Sequence, residues 1–167
     1  HARILVIDKD RGLEMAVRAL GGSYSAIRIG EATGLNPFQT EVEERGAAWL
    51  TDWLGDILAG SRLFETAQTV SLNAAVRQIV SADPRLRTFD GLATLVASTD
   101  DDGDLVGRVQ EWGQGGRHGW LFGPGATSQI SLSEDVVGID MSEILDLGTE
   151  RSALLAYLFR RIERVIE

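Results

Sequence analysis

Residues 3–36 read RILVIDKDRGLEMAVRALGGSYSAIRIGEATGLN, and the parsing of this stretch decides the fold. Ile4, Leu5, Val6 and Ile7 form an unbroken apolar run, the pattern of a strand covered on both faces, as in a parallel sheet with helices above and below. The polar run Asp8-Lys9-Asp10-Arg11-Gly12 then falls at the carboxyl end of that strand, the edge at which open α/β sheets bind ligands. Two carboxylates and two cations there make either a ligand site or a solvated turn in which Asp10 caps the next helix. Leu13, Ala16, Val17 and Leu20 recur at helical spacing, and Gly21 with Gly22 supplies a left-handed stop. Tyr24 to Ile29 reads as a second strand. The stretch therefore predicts strand, helix, strand, compatible with a parallel crossover.

Outward from this unit the pattern turns helical. Thr40 with Glu43 matches a capping box, and Trp49, Leu50, Trp53, Leu54, Ile57 and Leu58 line one face of a helix ending at Gly60. A further helix is expected from about Glu65 to Ala82, closed by Asp83 and Pro84, with shorter ones over 89–97 and 105–112. The acidic link TDDDGD, residues 99–104, fails as a calcium loop. Aligning Gly103 with the required glycine leaves Val109 where the bidentate glutamate belongs. Asp104 is instead expected as a helix cap. Residues 114–133 are glycine-rich, with Trp120 and Phe122 expected to anchor the loop to a core. Val136 to Met141 gives a last strand. The closing helix, from about Thr149, carries Leu154, Leu155, Leu158, Phe159 and Ile162 inward, with Arg160, Arg161 and Arg164 near its last turns.

Composition removes several function classes. A chain of 167 residues with 44% hydrophobic residues predicts one domain with a sizeable core. The apolar runs are too short to span a bilayer, and the first residues lack the basic start and small-residue cleavage site of a signal peptide. A net charge of -9 argues against a nucleic-acid surface, and the lack of cysteine excludes disulfides and thiolate metal sites. Among the sixteen basic residues only Lys9 is a lysine, and Asp10 rather than Ser or Thr follows it. That eliminates a GxxxxGK[ST] phosphate loop from the chain. His118 is the single internal histidine, so a histidine metal site is not expected, and no GxSxG elbow is present. RILVID and VVGID both end in an acid, like the magnesium-binding strand of nucleotide hydrolases, but without a phosphate loop neither completes a site.

The particular residues carry more than their periodicity. Asp8-Lys9-Asp10-Arg11-Gly12, Val17 to Gly22, Gly34-Leu35-Asn36-Pro37-Phe38, Arg108 to Trp112, Gly119 to Phe122, Val137 to Met141 and Tyr157 to Glu163 together resemble the VirB4 family of type IV secretion and conjugal transfer ATPases. Ala32 and Gly123 depart from the family's common proline and aspartate. The resemblance covers nearly the whole chain and identifies it as the interval between the Walker A and Walker B motifs. It implies an α/β fold, a partial RecA-like P-loop ATPase core of few strands, mostly helical overall. Residues 1–38 and 134–167 would belong to the core, and 39–133 to a helical insertion.

The same resemblance implies that the intact protein uses ATP and Mg2+, while the fragment alone binds no cofactor and is inactive. It implies a homo-oligomer, a hexamer, at the cytoplasmic side of the bacterial inner membrane. The implied partners are other type IV secretion ATPases and inner-membrane channel proteins, with no direct nucleic-acid contact from this segment. Arg11, Arg108, Arg160 and Arg161 are then candidates for an arginine finger acting on a neighbouring subunit. Asp8, Lys9 and Asp10 are placed near the nucleotide. The rival reading is a non-enzymatic helical interaction module that presents Trp120 and Phe122.

Overall fold

The computed structural model describes residues 3–60, 62–99, 103–123, 130 and 132–166. In chain order the elements are β1 (Ile4–Asp8), α1 (Glu14–Ala19), β2 (Ser23–Ala26), α2 (Pro37–Thr40), α3 (Glu44–Ala59) and α4 (Thr66–Ser81). A 3-10 turn (Pro84–Leu86) follows, then α5 (Phe89–Ala97), α6 (Asp104–Gln110), α7 (Gly119–Phe122), β3 (Val136–Asp140) and α8 (Gly148–Ile166). The protein is thus mostly helical with one small parallel sheet. It divides into two compact units, residues 1–35 with 125–167, and residues 36–124.

The first unit is built on the sheet, whose order is β1-β3-β2 with both pairs parallel. The strand that comes last in sequence is therefore the central one. Its register runs from Ile4 opposite Val136 to Asp8 opposite Asp140 on one side, and from Ser23 opposite Val137 to Ala26 opposite Asp140 on the other. Gly138 is the position that lets the layers close. A Cβ there would lie 2.9 Å from Cε2 of Tyr24 and 3.1 Å from Cγ2 of Val17. Glycine in a strand interior marks such a close approach.

Four expectations change here. β1 is not covered on both faces: it is an edge strand, with Ile4 48% and Ile7 38% exposed. In α1 only Val17 is buried, while Leu13 and Leu20 face solvent, because the six-residue helix touches the sheet through a single turn. Its stop is as read, with Gly21 at φ 76°. β2 ends at Ala26 rather than Ile29; Ile27 is buried and its N–H bonds the Asp140 carbonyl at 3.0 Å. In α8 the buried stripe is Ala153, Leu154, Tyr157 and Leu158, which rotates Phe159 outward to 56% exposure.

The second unit packs α2 to α7 around aromatic rings. Phe89 meets Phe38 edge-on at 5.0 Å and lies 5.9 Å from Trp112, 6.3 Å from Trp53 and 6.5 Å from Phe122. Such ring pairs add to area burial through their quadrupoles. Phe122 is buried, as an anchor should be, and His118 is a core residue 4.5 Å from the Trp112 ring. Trp53 stacks on Trp49 at 5.5 Å.

The predicted capping box at Thr40 does not start a helix. Asn36 caps α2 by accepting the Phe38 N–H at 3.0 Å, Pro37 takes the first helical position, and α3 begins only at Glu44. A capping box does open α4, between Glu65 and Gln68. Asp104 is not a cap: Gly103 holds that position, and the Asp104 carboxylate bonds Gln68 at 2.9 Å. Residues 100–102 of the acidic link and 124–129 of the glycine-rich segment lie outside the described residues.

Two substitutions check this packing. Phe89→Ala should destabilise the helical unit by about 3–5 kcal/mol, the usual cost of emptying an aromatic core site, measured by urea unfolding with tryptophan fluorescence. Gly138→Ala should cost about 1–3 kcal/mol through overpacking on the Tyr24 ring, read as a drop in thermal midpoint with little effect on the indole signal.

Candidate functional site

The carboxyl edge of the sheet collects a connected group of polar residues. Asp8 and Asp140, the last residues of β1 and β3, are register partners and both are buried. Like charges placed this way raise each other's energy unless each is separately satisfied. Asp8 Oδ2 accepts the Tyr24 hydroxyl at 2.6 Å and the Leu13 N–H at 2.8 Å. Asp140 Oδ1 accepts the Ser142 N–H at 2.9 Å and the Ser142 hydroxyl, and its Oδ2 takes the Arg11 Nε at 3.3 Å. Ser142 Oγ in turn accepts the Asp10 N–H at 2.7 Å. The loop between β1 and α1 is thereby stitched to the turn after β3.

These bonds set the titration. The Tyr24 hydroxyl, then the Leu13 amide, hold the Asp8 carboxyl below the usual carboxylate range. At Asp140 burial pushes upward, and the combined Ser142 hydroxyl, Ser142 amide and Arg11 bonds overcome it, so that carboxyl is also lowered. Tyr24 is raised, first by burial and then by donating to a charged Asp8. It stays a neutral donor throughout the physiological range.

Lys9, Asp10 and Arg11 project from this platform as exposed residues. Asp10 and Arg11 both adopt left-handed backbone, φ 61° and 56°, which non-glycine residues hold only when their surroundings impose it. The clamp from Ser142 and the Arg11–Asp140 pair are that imposition. Asp10 is accordingly a loop residue, not the cap of α1, whose first flanking residue is Leu13. Among the described residues no three His, Asp or Glu side chains are gathered to hold a metal ion.

The four arginines singled out in the sequence are not brought together. Arg11 stands at the sheet edge, its side chain 50% exposed and held by one ion pair. Arg108, in the helical unit and 17% exposed, donates to the carbonyls of Leu58, Ala59 and Arg62 at 3.2, 3.0 and 2.9 Å. It also pairs with Asp104 at 3.0 Å and lies 5.3 Å over the Phe64 ring. That places a cation on the last carbonyls of α3, where the helix dipole favours it. Arg160 pairs with Glu163 at 3.5 Å on α8, and the Arg161 Nε is buried without a hydrogen-bond partner among the described residues.

Tyr24 and Ser142 were not among the sequence candidates. Ser142 carries a local signal, Asp-x-Ser, in which the carboxylate accepts from the backbone two residues on. Tyr24 carries none, because its reach to Asp8 depends on β3 lying between their strands.

Acid unfolding tests the platform. Both carboxyls titrate lower in the folded state, so their contribution is complete above the ordinary carboxylate pKa of about 4 and disappears as pH falls through the lowered values. Stability should hold from neutral pH to about 4 and fall below it. Asp8→Asn and Asp140→Asn should each lower stability at neutral pH and flatten the acid limb of thermal midpoint against pH. Limbs identical to the parent's in both variants would refute the assignment.

No protein-family model matches the sequence. The protein virB4 of Agrobacterium fabrum is 30% identical over 168 residues, covering 98% of this chain and 21% of that protein. The type IV secretion system proteins virB4 of Bartonella quintana and PtlC of Bordetella pertussis are 29% and 31% identical, again over 98% of this chain and 21% of theirs. The chain thus spans about a fifth of the length of these relatives. The solved structure of VirB4 of Thermoanaerobacter pseudethanolicus shares the fold with a TM-score of 0.69 at 16% identity, over 98% of this chain and 50% of that one.

Proposed function

We infer, from the premise that the chain corresponds along nearly its whole length to a segment of the VirB4/PtlC type IV secretion proteins, that it is the interval of a secretion ATPase between its phosphate loop and its Walker B strand. On this reading the parallel sheet is part of a RecA-like core, and residues 36–124 are its helical insertion. The longer protein hydrolyses ATP at the cytoplasmic face of the inner membrane as a hexameric ring. It works with other secretion ATPases and channel proteins to assemble the channel or pilus and move substrate. The observation that carries the reading is the match over 98% of this chain to proteins of which it forms 21%. Among the described residues no helix is long and apolar enough to cross a membrane, in keeping with a segment lying beside the bilayer.

The chain's own residues do not make a complete nucleotide site. Its one lysine lacks the hydroxyl residue that would follow it in a phosphate loop. Asp8 and Asp140 are already engaged as acceptors, Asp8 through Oδ2 with Tyr24 and Leu13, and Asp140 with Ser142 and Arg11. What the edge offers is a rigid platform that presents Lys9, Asp10 and Arg11. We assign the inter-subunit role to Arg11, because it alone of the four combines exposure with a single, breakable partner at the carboxyl edge.

In the longer protein, Arg11→Ala should leave nucleotide binding intact and cut turnover by about a thousandfold or more, the usual worth of an arginine finger. Arg108→Ala should instead lower the unfolding midpoint, since it uncaps α3. Unchanged turnover in Arg11→Ala removes that residue from the role. ATP turnover by the 167-residue chain alone would contradict its assignment as an interval, and no turnover by the longer protein would sink the ATPase reading.

A further inference from the structure

The turn that follows β3 is tied to the segments leaving both of the other strands. On the β1 side, Ser142 Oγ accepts the Asp10 N–H at 2.7 Å and Asp140 Oδ2 takes the Arg11 Nε at 3.3 Å. On the β2 side, the Asp140 carbonyl accepts the Ile27 N–H at 3.0 Å. Glu143 accepts the Ile29 N–H at 3.0 Å and pairs with Arg28 at 3.6 Å. The two sides are separable: the Ser142 side chain serves the first, and the Glu143 side chain serves the second.

The two ties on the Arg11 loop differ in strength. The ion pair to Asp140 is long for a charge-assisted bond, and the Arg11 side chain is 50% exposed, so water screens it and it holds the guanidinium loosely. The Ser142 bond is short, and its acceptor is itself fixed. That hydroxyl donates to Asp140 Oδ1, and the Ser142 N–H bonds the same oxygen at 2.9 Å. A hydroxyl that donates to a carboxylate becomes a better acceptor for the next donor in the chain. Its bond lands on backbone, at the first of two consecutive residues in the left-handed region, Asp10 at φ 61° and Arg11 at φ 56°. Backbone of this kind persists only while its surroundings impose it. The serine therefore sets the backbone of the loop, whereas the aspartate only parks the side chain.

We propose that Ser142 is the positioning residue for Arg11: its hydroxyl fixes the backbone from which the guanidinium is presented, and keeps Asp140 satisfied when that guanidinium departs. The proposal rests on the assignment of Arg11 to a neighbouring subunit's nucleotide. To reach an anionic group the guanidinium must give up Asp140, and a buried carboxylate abandoned by its arginine resists the exchange. Ser142 lowers that resistance, because two of its donors stay on Oδ1. The side chain then swings from a fixed Cα, and little remains to be ordered where it arrives.

A mutant cycle on turnover in the longer protein tests this. Ser142→Ala should lower kcat by about tenfold to a hundredfold, the scale of a misplaced catalytic group, with KM for ATP within about twofold of the parent's. Ser142→Thr keeps the hydroxyl and should restore most of the rate. In an Arg11→Ala background Ser142→Ala should cost nothing further, since a residue that acts through another is not additive with it. Glu143→Ala loosens the β2 side of the same turn and should leave kcat near the parent's. In the 167-residue chain, Ser142→Ala should speed exchange of the Asp10 amide at least about tenfold. An equal loss of kcat with or without Arg11, an equal loss in Glu143→Ala, or an Asp10 amide that does not respond overturns the proposal. So does full turnover by Ser142→Ala beside a crippled Arg11→Ala, which rejects the positioning alone. Full turnover by Arg11→Ala is the separate failure: it rejects the inter-subunit reading and the positioning with it.

Discussion

Two buried carboxylates, Asp8 and Asp140, end adjacent parallel strands in register, and the sheet unit is arranged around keeping both of them charged. Parallel pairing forces the proximity, since ladders in register bring strand ends together. Relief comes from three directions: a tyrosine on the far strand, a serine one turn beyond β3, and an arginine on the loop beyond β1. Each of these fixes backbone as well as charge. Leu13 is pulled in by Asp8 to begin α1, and Asp10 is pulled in by Ser142. The left-handed conformation of Asp10 and Arg11 follows from that closure. Strain of this kind, of order 1–3 kcal/mol per residue, persists only where neighbours over-determine it.

Periodicity reported the helical unit well and the sheet unit less well, for a physical reason. Helices α4 and α5 bury residues of the same unit at local spacing, so Leu72, Val76, Ile79 and the start at Phe89 are legible from i, i+4 patterns alone. β1 is legible as a strand, but its surroundings are not. An apolar run states what a strand would bury, but not whether anything covers it: among the described residues Ile4 and Ile7 stand partly exposed at an edge strand. The helix start at Thr40 failed because Asn36-Pro37 is a stronger start signal four residues earlier, and it nucleates a single turn of its own. Asp8, Lys9, Asp10 and Arg11 were legible as a cluster. The partners that organise them, Tyr24 and Ser142, were not, since they arrive through a strand order that sequence does not display.

Arg108 and Arg11 illustrate how one residue type divides its work. A guanidinium carries five donors in a fixed fork. Arg108 commits its donors to three carbonyls and Asp104, and is a cap built into the helical unit. Arg11 commits one donor to Asp140 and leaves the rest facing water. The difference lies in the surroundings. A helix end with unpaired carbonyls absorbs a long cation, whereas a strained loop tip holds one out.

The strand order has a kinetic meaning. β3 lies between β1 and β2 yet follows them by the whole of residues 36–124. During synthesis the first two strands emerge with no partner for each other, because their common neighbour is still unmade. The helical unit, contiguous in sequence and rich in local contacts, belongs to the class that folds fast. The sheet closes only when a strand with a long loop behind it is threaded between two waiting edges, and that loop closure bears the entropic cost. Among the described strands the middle one is made after both of its neighbours, and until it pairs with them β1 and β2 each lack the ladder that β3 supplies.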